Sequence, residues 1–332
     1  MKKYIRRLSV VSIVGSLFAA AVSMLLCGAA PARGDAYPAG KITLIVGFAP
    51  GGIADTLARL IGQGMSDRLH RPVVVENRSG AGGNIAAELV AHAAPNGYTL
   101  LATTTALAIN ETLHVINPFS RNDLKAVAIA ASSPEALATS PTNPATNLVD
   151  FIKGMKGRTI NFGSAGVGTG SHIEAAYFFR FLAKVPAQHI PFQGGAPAIS
   201  ATIGNQIDLL ATTLGGGAAA QIQAGKLKGL GIAADKRAVV APDVPTYVEQ
   251  GFPAFTASSW VGFFAPARTD PTILATLNAT IDDVLKTPEV QKRLVALGFE
   301  PIAGSQQQAD AMFKAEVDKW GKMVEALGLS IK

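Results

Sequence analysis

Two glycine-rich segments stand where a short apolar run gives way to a helical pattern. The first covers residues 48–55 and reads FAPGGIAD, and the second covers residues 164–172 and reads SAGVGTGSH. Glycine allows a ligand to approach the backbone closely. The first amides of a helix lack internal partners, and the helix dipole favours negative charge beside them. Both segments are therefore predicted to bind an anion.

The candidate ligand-binding residues lie in these segments or at the ends of neighbouring predicted strands. They are Ala49, Gly51, Gly52, Ile53, Ala54 and Asp55 in the first segment, Ser164, Gly166, Gly168, Thr169, Ser171 and His172 in the second, and Thr105, Gln193 and Thr213 elsewhere. An alternative is that the glycines only make turns, that Asp55 caps its own helix, and that the threonines reflect β-propensity.

The sequence contains no recognisable enzyme signature. A G-x-S-x-G elbow fails because Phe162 stands where its first glycine belongs, and a G-x-G-x-x-G fingerprint fails at Ser171. The five histidines have no metal-ligand spacing. We therefore expect no catalytic residue, metal or cofactor, and give His172 the role of a donor to a bound anion.

Short β-branched runs alternate with helical patterns, which is typical of βαβ units and mostly parallel sheets. The first unit has predicted strands at 41–48, 73–76 and 98–102 and helices at 53–69 and 84–93. The second has strands at 159–164, 188–192 and 207–212 and helices at 171–183 and 196–203. The fold class is α/β, with each unit forming a sheet flanked by helices.

Two segments are candidates for crossings between the units: the Pro- and Ser-rich stretch 132–144 and the apolar strand 260–265. The amphipathic helices at 271–285 and 307–327 are expected to pack back on the first unit. This predicts a discontinuous first domain of residues 36–136 plus 262–332, and a second domain of residues 137–261.

The amino terminus has the order of a secretory signal peptide: basic residues, an apolar run from Leu8 to Leu26, then small residues near Ala32. An uncleaved membrane anchor is the alternative. Cleavage after Ala32 lowers the 29 basic residues by four to 25, against 23 acidic ones. So small an excess excludes a nucleic-acid footprint. It also removes Cys27, the single cysteine, so no disulfide is expected.

A series of blocks in the mature chain resembles the Bug-type (TctC-like) receptors, the substrate-binding proteins of tripartite tricarboxylate transporters. The blocks are FAPGGIAD, VVVENRSGAGGNIAAE, PNGYTLLATT, INFGSAGVGTGSH, IPFQGGAPA, QAGKLKGLGIA, APDVPT and SSWVGFFAPA. The resemblance implies a type II periplasmic-binding-protein fold, in which two α/β domains joined by two crossing strands close on a ligand like a Venus flytrap. It also implies that both glycine loops hold carboxylates through amides, hydroxyls and water.

Within that resemblance, this sequence departs at Ala54, where the family often has a hydroxyl residue. Asp55 has two possible roles: it accepts from the amides of its own loop, or it faces the ammonium group of an amino acid. Its likeness to an aspartate in family members whose ligands lack an amine favours the first role.

The function that follows is an extracytoplasmic, monomeric receptor that carries a small carboxylate to membrane transporter subunits, without catalysis. Two alternatives remain open at this point. One is an exported enzyme that acts on a small organic acid, and the other is a sensing lobe that reports ligand occupancy to a membrane kinase.

Overall fold

Strands and helices alternate along the chain, as the sequence predicts. The computed structural model describes residues 37–114 and 119–331, without the side chain of residue 121. The predicted signal peptide lies outside these residues. In the part that is described, no helix is both long and apolar enough to cross a membrane.

The amino-terminal half of the chain contains β1 (Ile42–Val46), α1 (Ile53–Leu69), β2 (Val73–Asn77), α2 (Asn84–Ala91), β3 (Thr99–Thr104), α3 (Ala106–Leu113), β4 (Leu124–Thr139), α4 (Leu148–Gly154), β5 (Ile160–Ser164) and α5 (Gly170–Tyr177). It is followed by β6 (Ala187–Pro191), α6 (Gly195–Ile203), β7 (Leu209–Thr213), α7 (Ala218–Gln223), β8 (Lys228–Ile232), β9 (Ser258–Pro266), α8 (Pro271–Leu285), α9 (Pro288–Ala296), β10 (Glu300–Pro301) and α10 (Gln306–Leu327).

The strands form one mixed sheet in the order β2-β1-β3-β9-β4-β7-β5-β6, with β8 and β10 also paired to β4. Two sets of parallel strands stand at its ends, β2-β1-β3 and β7-β5-β6. We call the first set with its helices the first lobe, and the second set with its helices the second lobe. Each end set is parallel, as the sequence predicts, whereas the pairings of β4 with β7, β8, β9 and β10 and of β3 with β9 are antiparallel. The architecture is the predicted α/β class with a mixed sheet.

Strand β4 passes through both lobes. Its residues 124–134 pair with β9, and its residues 135–138 pair with β7. The sequence predicted only a crossing stretch at 132–144, from its Pro- and Ser-rich composition between the two units. Pro134 has no N–H to donate within the strand, while its carbonyl accepts from the amide of Leu214. Together, β4 and β9 are the two crossing strands.

Helix α10 packs on α3 and β4 of the first lobe, as expected, but its last turns also reach the second lobe. Trp320 and Val324 join a buried core cluster with Ile173 and Phe178 from α5 and the turn that follows it. The indole of Trp320 is fully buried. The carboxyl-terminal helix is therefore a third link between the lobes, which the sequence pattern did not indicate.

Candidate functional site

A small cavity lies where the strands of both lobes end. Its volume, measured as the space that the centre of a water molecule can occupy, is about 40 Å³. Its lining residues are Phe48, Gly52, Ile53, Ala54, Thr104, Ala165, Thr169, Gly170, Ser171, Gly195, Thr212, Thr213, Gly215, Gly216 and Ser259. All of them belong to the described part of the chain, and none carries a charged side chain. The site offers amides, hydroxyls and apolar groups.

The first lobe contributes the beginning of α1. Gly51 has a φ of 84°, which suits glycine, and Gly52 precedes the first helical residue. Because the first amides of an α-helix have no partner within the helix, those of Ile53 and Ala54 remain available at the cavity. The positive end of the helix dipole lies at the same place.

Asp55 holds this loop rather than lining the cavity. Its carboxylate accepts from the Gly51 amide at 2.9 Å, from Arg59 at 3.1 Å and from the Asn77 amide group at 2.9 Å. Burial opposes ionisation, but the hydrogen bonds from Arg59, Gly51 and Asn77 outweigh it and hold the pKa of Asp55 below its usual value. This geometry favours the first of the two roles considered for Asp55.

The second lobe contributes the beginning of α5. Thr169 caps this helix, since its hydroxyl oxygen accepts from the His172 amide and its hydroxyl donates to the Gly166 carbonyl at 2.7 Å. The next two residues, Gly170 and Ser171, line the cavity at the start of the helix. Two helix beginnings therefore meet at one cavity, as the two glycine-rich segments predicted.

The two lobes touch around the cavity. The Ala49 amide donates to the Gln193 carbonyl at 3.0 Å. A Cβ added to Gly216 would lie 2.6 Å from the amide nitrogen of Ile53, so this contact leaves room for glycine alone. The lobes are thus in a closed arrangement.

Six of the predicted site residues line the cavity, namely Gly52, Ile53, Ala54, Thr169, Ser171 and Thr213. The other nine lie behind the lining or beside it: Ala49, Gly51, Asp55, Thr105, Ser164, Gly166, Gly168, Gln193 and His172. Several of these support the loops through hydrogen bonds, as Gln193 does toward Ala49.

His172 turns its ring away from the cavity. Its Nδ1 accepts from the Gly168 amide at 3.2 Å, and its ring stacks on His189 with 3.9 Å between ring centroids. Burial lowers the pKa of His172 to about 4, and burial together with the neighbouring His172 lowers that of His189 to about 3. His172 is therefore neutral at pH 7 and shapes the second loop.

Nine lining residues were missing from the sequence-based set. Phe48, Ala165, Thr212 and Gly195 lie within two residues of predicted site positions and could have been found by widening each predicted segment by two residues. Thr104, Gly170, Gly215 and Gly216 belong to the same junctions. Ser259 comes from β9, distant in sequence, and has no local signal.

Two buried acidic residues lie behind the lining. Oε1 of Glu135 shares a 2.5 Å hydrogen bond with the Ser259 hydroxyl, and Oε1 of Glu174 shares one of 2.6 Å with the Tyr247 hydroxyl. Burial raises the pKa of Glu135 to about 8, against the effect of the Ser259 hydrogen bond. Burial also raises the pKa of Glu174 to about 8, where repulsion from Glu135 adds to the effect and the Tyr247 hydrogen bond opposes it.

Residues 57–329 match the sequence model of a protein family, the tripartite tricarboxylate transporter family receptor. The chain belongs to this receptor family. It is 33% identical over 319 residues to the protein BugT of Bordetella pertussis, covering 92% of this chain and 94% of BugT.

Solved structures agree with the assignment of this chain to the receptor family. MatC from Rhodopseudomonas palustris, solved with bound malate, is 33% identical, has a TM-score of 0.82 and covers 87% of this chain and 100% of its own. A second R. palustris protein, solved with adipate, is 28% identical with a TM-score of 0.85 and covers 89% of this chain and 99% of its own. The periplasmic binding protein BugD is 28% identical with a TM-score of 0.84, and the match covers 89% of this chain and 100% of BugD. The receptor therefore has the two-domain periplasmic-binding-protein fold.

Proposed function

We propose that this receptor binds a small carboxylate in the cavity and delivers it to the membrane subunits of a tripartite tricarboxylate transporter. The observation that carries the proposal is the meeting of two helix beginnings, at Ile53 and Gly170, in one cavity without a charged lining side chain. Each helix beginning provides amides and a favourable dipole for one anionic group. A carboxylate ligand satisfies both features.

The remaining lining groups define the class of ligand further. Ser171 and Thr213 supply hydroxyls toward carboxylate oxygens, whereas the Thr169 hydroxyl already donates to the Gly166 carbonyl. Phe48 and Ile53 supply an apolar wall. With no lysine or arginine in the lining, binding depends on the direction of neutral donors and not on ion pairs. These groups suit a short organic acid with one or two carboxylates, the class to which the malate and adipate of the two related structures belong.

Closure of two domains is the proposed binding movement. The domains are residues 36–136 plus 262–332 and residues 137–261, and the hinges are the two crossing strands. Ligand contacts with both helix beginnings favour the closed form, because a ligand shifts such an equilibrium by its differential affinity for the two states.

The receptor is proposed to act in the periplasm as a monomer, after export by the amino-terminal signal peptide. Its docking partners are the membrane subunits of the transporter. Ligand is released to them unchanged, so we expect no turnover when a bound carboxylate is followed by NMR.

Isothermal titration tests the binding proposal. The purified receptor is titrated with mono-, di- and tricarboxylates, beginning with malate and adipate, and with the corresponding amides as controls. Micromolar binding of at least one acid, about −8 kcal/mol, supports the proposal. Equal binding of an acid and its uncharged amide, or no binding across the panel, contradicts it.

A further inference from the structure

Glu135 and Glu174 are buried acidic residues whose ionisation is energetically unfavourable. Both have no exposed surface, and Oε2 of each lacks a hydrogen-bond partner among the residues described. Within the same residues, no lysine, arginine or histidine forms an ion pair with either carboxyl group. A buried, unpaired carboxylate is strongly unfavourable, so the neutral acids are preferred.

A chain of hydrogen bonds leads from Glu135 to the cavity. Oε1 of Glu135 is 2.5 Å from the Ser259 hydroxyl oxygen, which is 2.8 Å from the hydroxyl oxygen of Thr105. Ser259 lines the cavity, whereas Glu135 does not. Any effect of Glu135 on the ligand therefore passes through Ser259 or through the electrostatic field.

Glu135 also lies against the start of α5. A Cβ added to Gly170 would clash with the Ser259 hydroxyl and lie 2.6 Å from Oε1 of Glu135. Since Gly170 lines the cavity, the carboxyl group is directly behind one of the two helix beginnings. A negative charge there would neutralise part of the positive helix dipole that favours a bound anion.

The proton on Glu135 sets the direction of the Ser259 hydrogen bond. When Glu135 is ionised it is only an acceptor, so the Ser259 hydroxyl donates to it and presents only lone pairs to the cavity. When Glu135 carries a proton on Oε1, it donates to Ser259, and the Ser259 hydroxyl is free to donate to a ligand. Only the second arrangement suits a carboxylate.

We propose that Glu135 is a positioning residue for the ligand: its neutral form turns the Ser259 hydroxyl into a donor toward the bound carboxylate, and binding at alkaline pH takes up one proton from solvent. The proposal rests on the carboxylate-binding function proposed above. It assigns to this buried acid a role in affinity that lies outside the lining itself.

The surroundings of Glu135 contain two other titratable groups. Glu174, from α5, repels its charge, and the Tyr247 hydroxyl bonds to Glu174. Strand β9 and the residue before α3 contribute only the hydroxyls of Ser259 and Thr105. Since Glu174 does not hydrogen bond to a lining residue, Glu174→Gln is the matched control for Glu135→Gln.

The expected signature is a weaker affinity at high pH. With the pKa of Glu135 raised to about 8, the wild-type dissociation constant is about tenfold larger at pH 9 than at pH 7. Small carboxylic acids are fully ionised over this range, so the ligand adds no slope. E135Q places a neutral amide donor beside Ser259 and should bind with near wild-type affinity at pH 7 and without the slope.

The test is isothermal titration of malate, adipate and the tightest ligand of the panel at pH 7, 8 and 9, with wild type, E135Q and E174Q. A slope in wild type and E174Q that is lost in E135Q supports the proposal. A wild type without slope, or an E135Q that keeps it, overturns the proposal while leaving carboxylate binding intact. Failure of every acid to bind overturns the proposed function as well.

Infrared spectroscopy of E174Q, which removes the band of Glu174, makes the test independent of the folding of E135Q. The carbonyl band of a protonated carboxylic acid should be present at pH 7, decrease toward pH 9, and increase again when ligand is added at pH 9. Absence of the band at pH 7, or no ligand-induced gain at pH 9, overturns the proposal.

Discussion

At the scale of single residues, Asp55 supports an anion-binding loop from behind. Its carboxylate binds the Gly51 amide and the side chains of Arg59 and Asn77, and it does not line the cavity, so we do not expect it to meet the ligand. Asp55→Asn removes the charge and sets an amide donor against Asn77. We expect the loop to lose about 1–3 kcal/mol of stability. We also expect every carboxylate to bind more weakly, with a similar loss of affinity for each.

Arg59→Ala is the control for this prediction, because the arginine is 53% exposed and such an ion pair contributes less than about 1 kcal/mol. Calorimetric titration and thermal unfolding of both variants make the comparison. A selective loss of amino-bearing ligands in D55N would instead assign Asp55 to an ammonium group.

Glu174 predicts a pH dependence of stability. Its pKa is raised from 4.5 to about 8 in the folded protein, mainly by burial, so its contribution is full below pH 4.5 and is lost as the pH rises through 8. The unfolding temperature of the wild type should therefore fall from pH 7 to pH 9. In E174Q the fall should be about half as steep, because Glu135 still titrates.

Thermal unfolding followed by circular dichroism measures this slope. The range above pH 7 avoids His172 and His189, whose pKa values are lowered from 6.5 and which affect stability only in acid. An unchanged slope in E174Q would contradict the raised pKa.

The residues of the site differ in how far the sequence reveals them. Ile53, Ala54 and Ser171 follow from a local rule, since glycine-rich strand ends lead into helix beginnings. Ser259 and Glu135 do not, because the pairing of β4 with β9 and β7, which joins distant segments, places Ser259 at the cavity and Glu135 behind it. The position of Glu135 behind the cavity therefore depends on strand pairing, which the local sequence does not reveal.

At the scale of elements, the sequence predicts a helix or strand correctly where its apolar residues follow a single regular spacing. Helix α1 has the predicted bounds because its apolar positions repeat with helical spacing and glycines precede it. Strand β4 was missed over residues 124–131, where an alanine-rich run with buried residues on both faces lacks the alternation of a half-exposed strand. Helix α9 was missed as well.

The start of α5 offers a test at this scale. Gly170→Ala adds a Cβ that clashes with Ser259 and Glu135, so the helix beginning must shift and the ligand should bind at least tenfold more weakly. Gly154→Ala in α4 is the matched control, because its Cβ meets nothing within 4 Å and alanine favours the helix. Titration calorimetry compares them, and equal affinities would contradict the assigned role of α5.

At the scale of the whole molecule, the closed arrangement depends on backbone contacts across the cavity. The Gly216 backbone meets Gly52 and Ile53 so closely that an added Cβ would lie 2.6–2.9 Å from their backbone atoms. Helix α10 joins both lobes on the core side. The proposed movement must therefore open the contact at Gly216 while α10 keeps its place, and this makes Gly216 the point at which closure is tested.

Gly216→Ala should prevent full closure, whereas Gly217→Ala should permit it. Both glycines have a positive φ, 63° and 105°, so both variants carry backbone strain, but only the first meets the opposite lobe, since a Cβ on Gly217 has nothing within 4 Å. Small-angle X-ray scattering should show ligand-induced compaction in wild type and G217A, and none in G216A. G216A should also bind carboxylates at least tenfold more weakly, because one set of amides no longer reaches the ligand. Compaction and affinity that are equal in the two variants would mean that the ligand does not bridge the lobes.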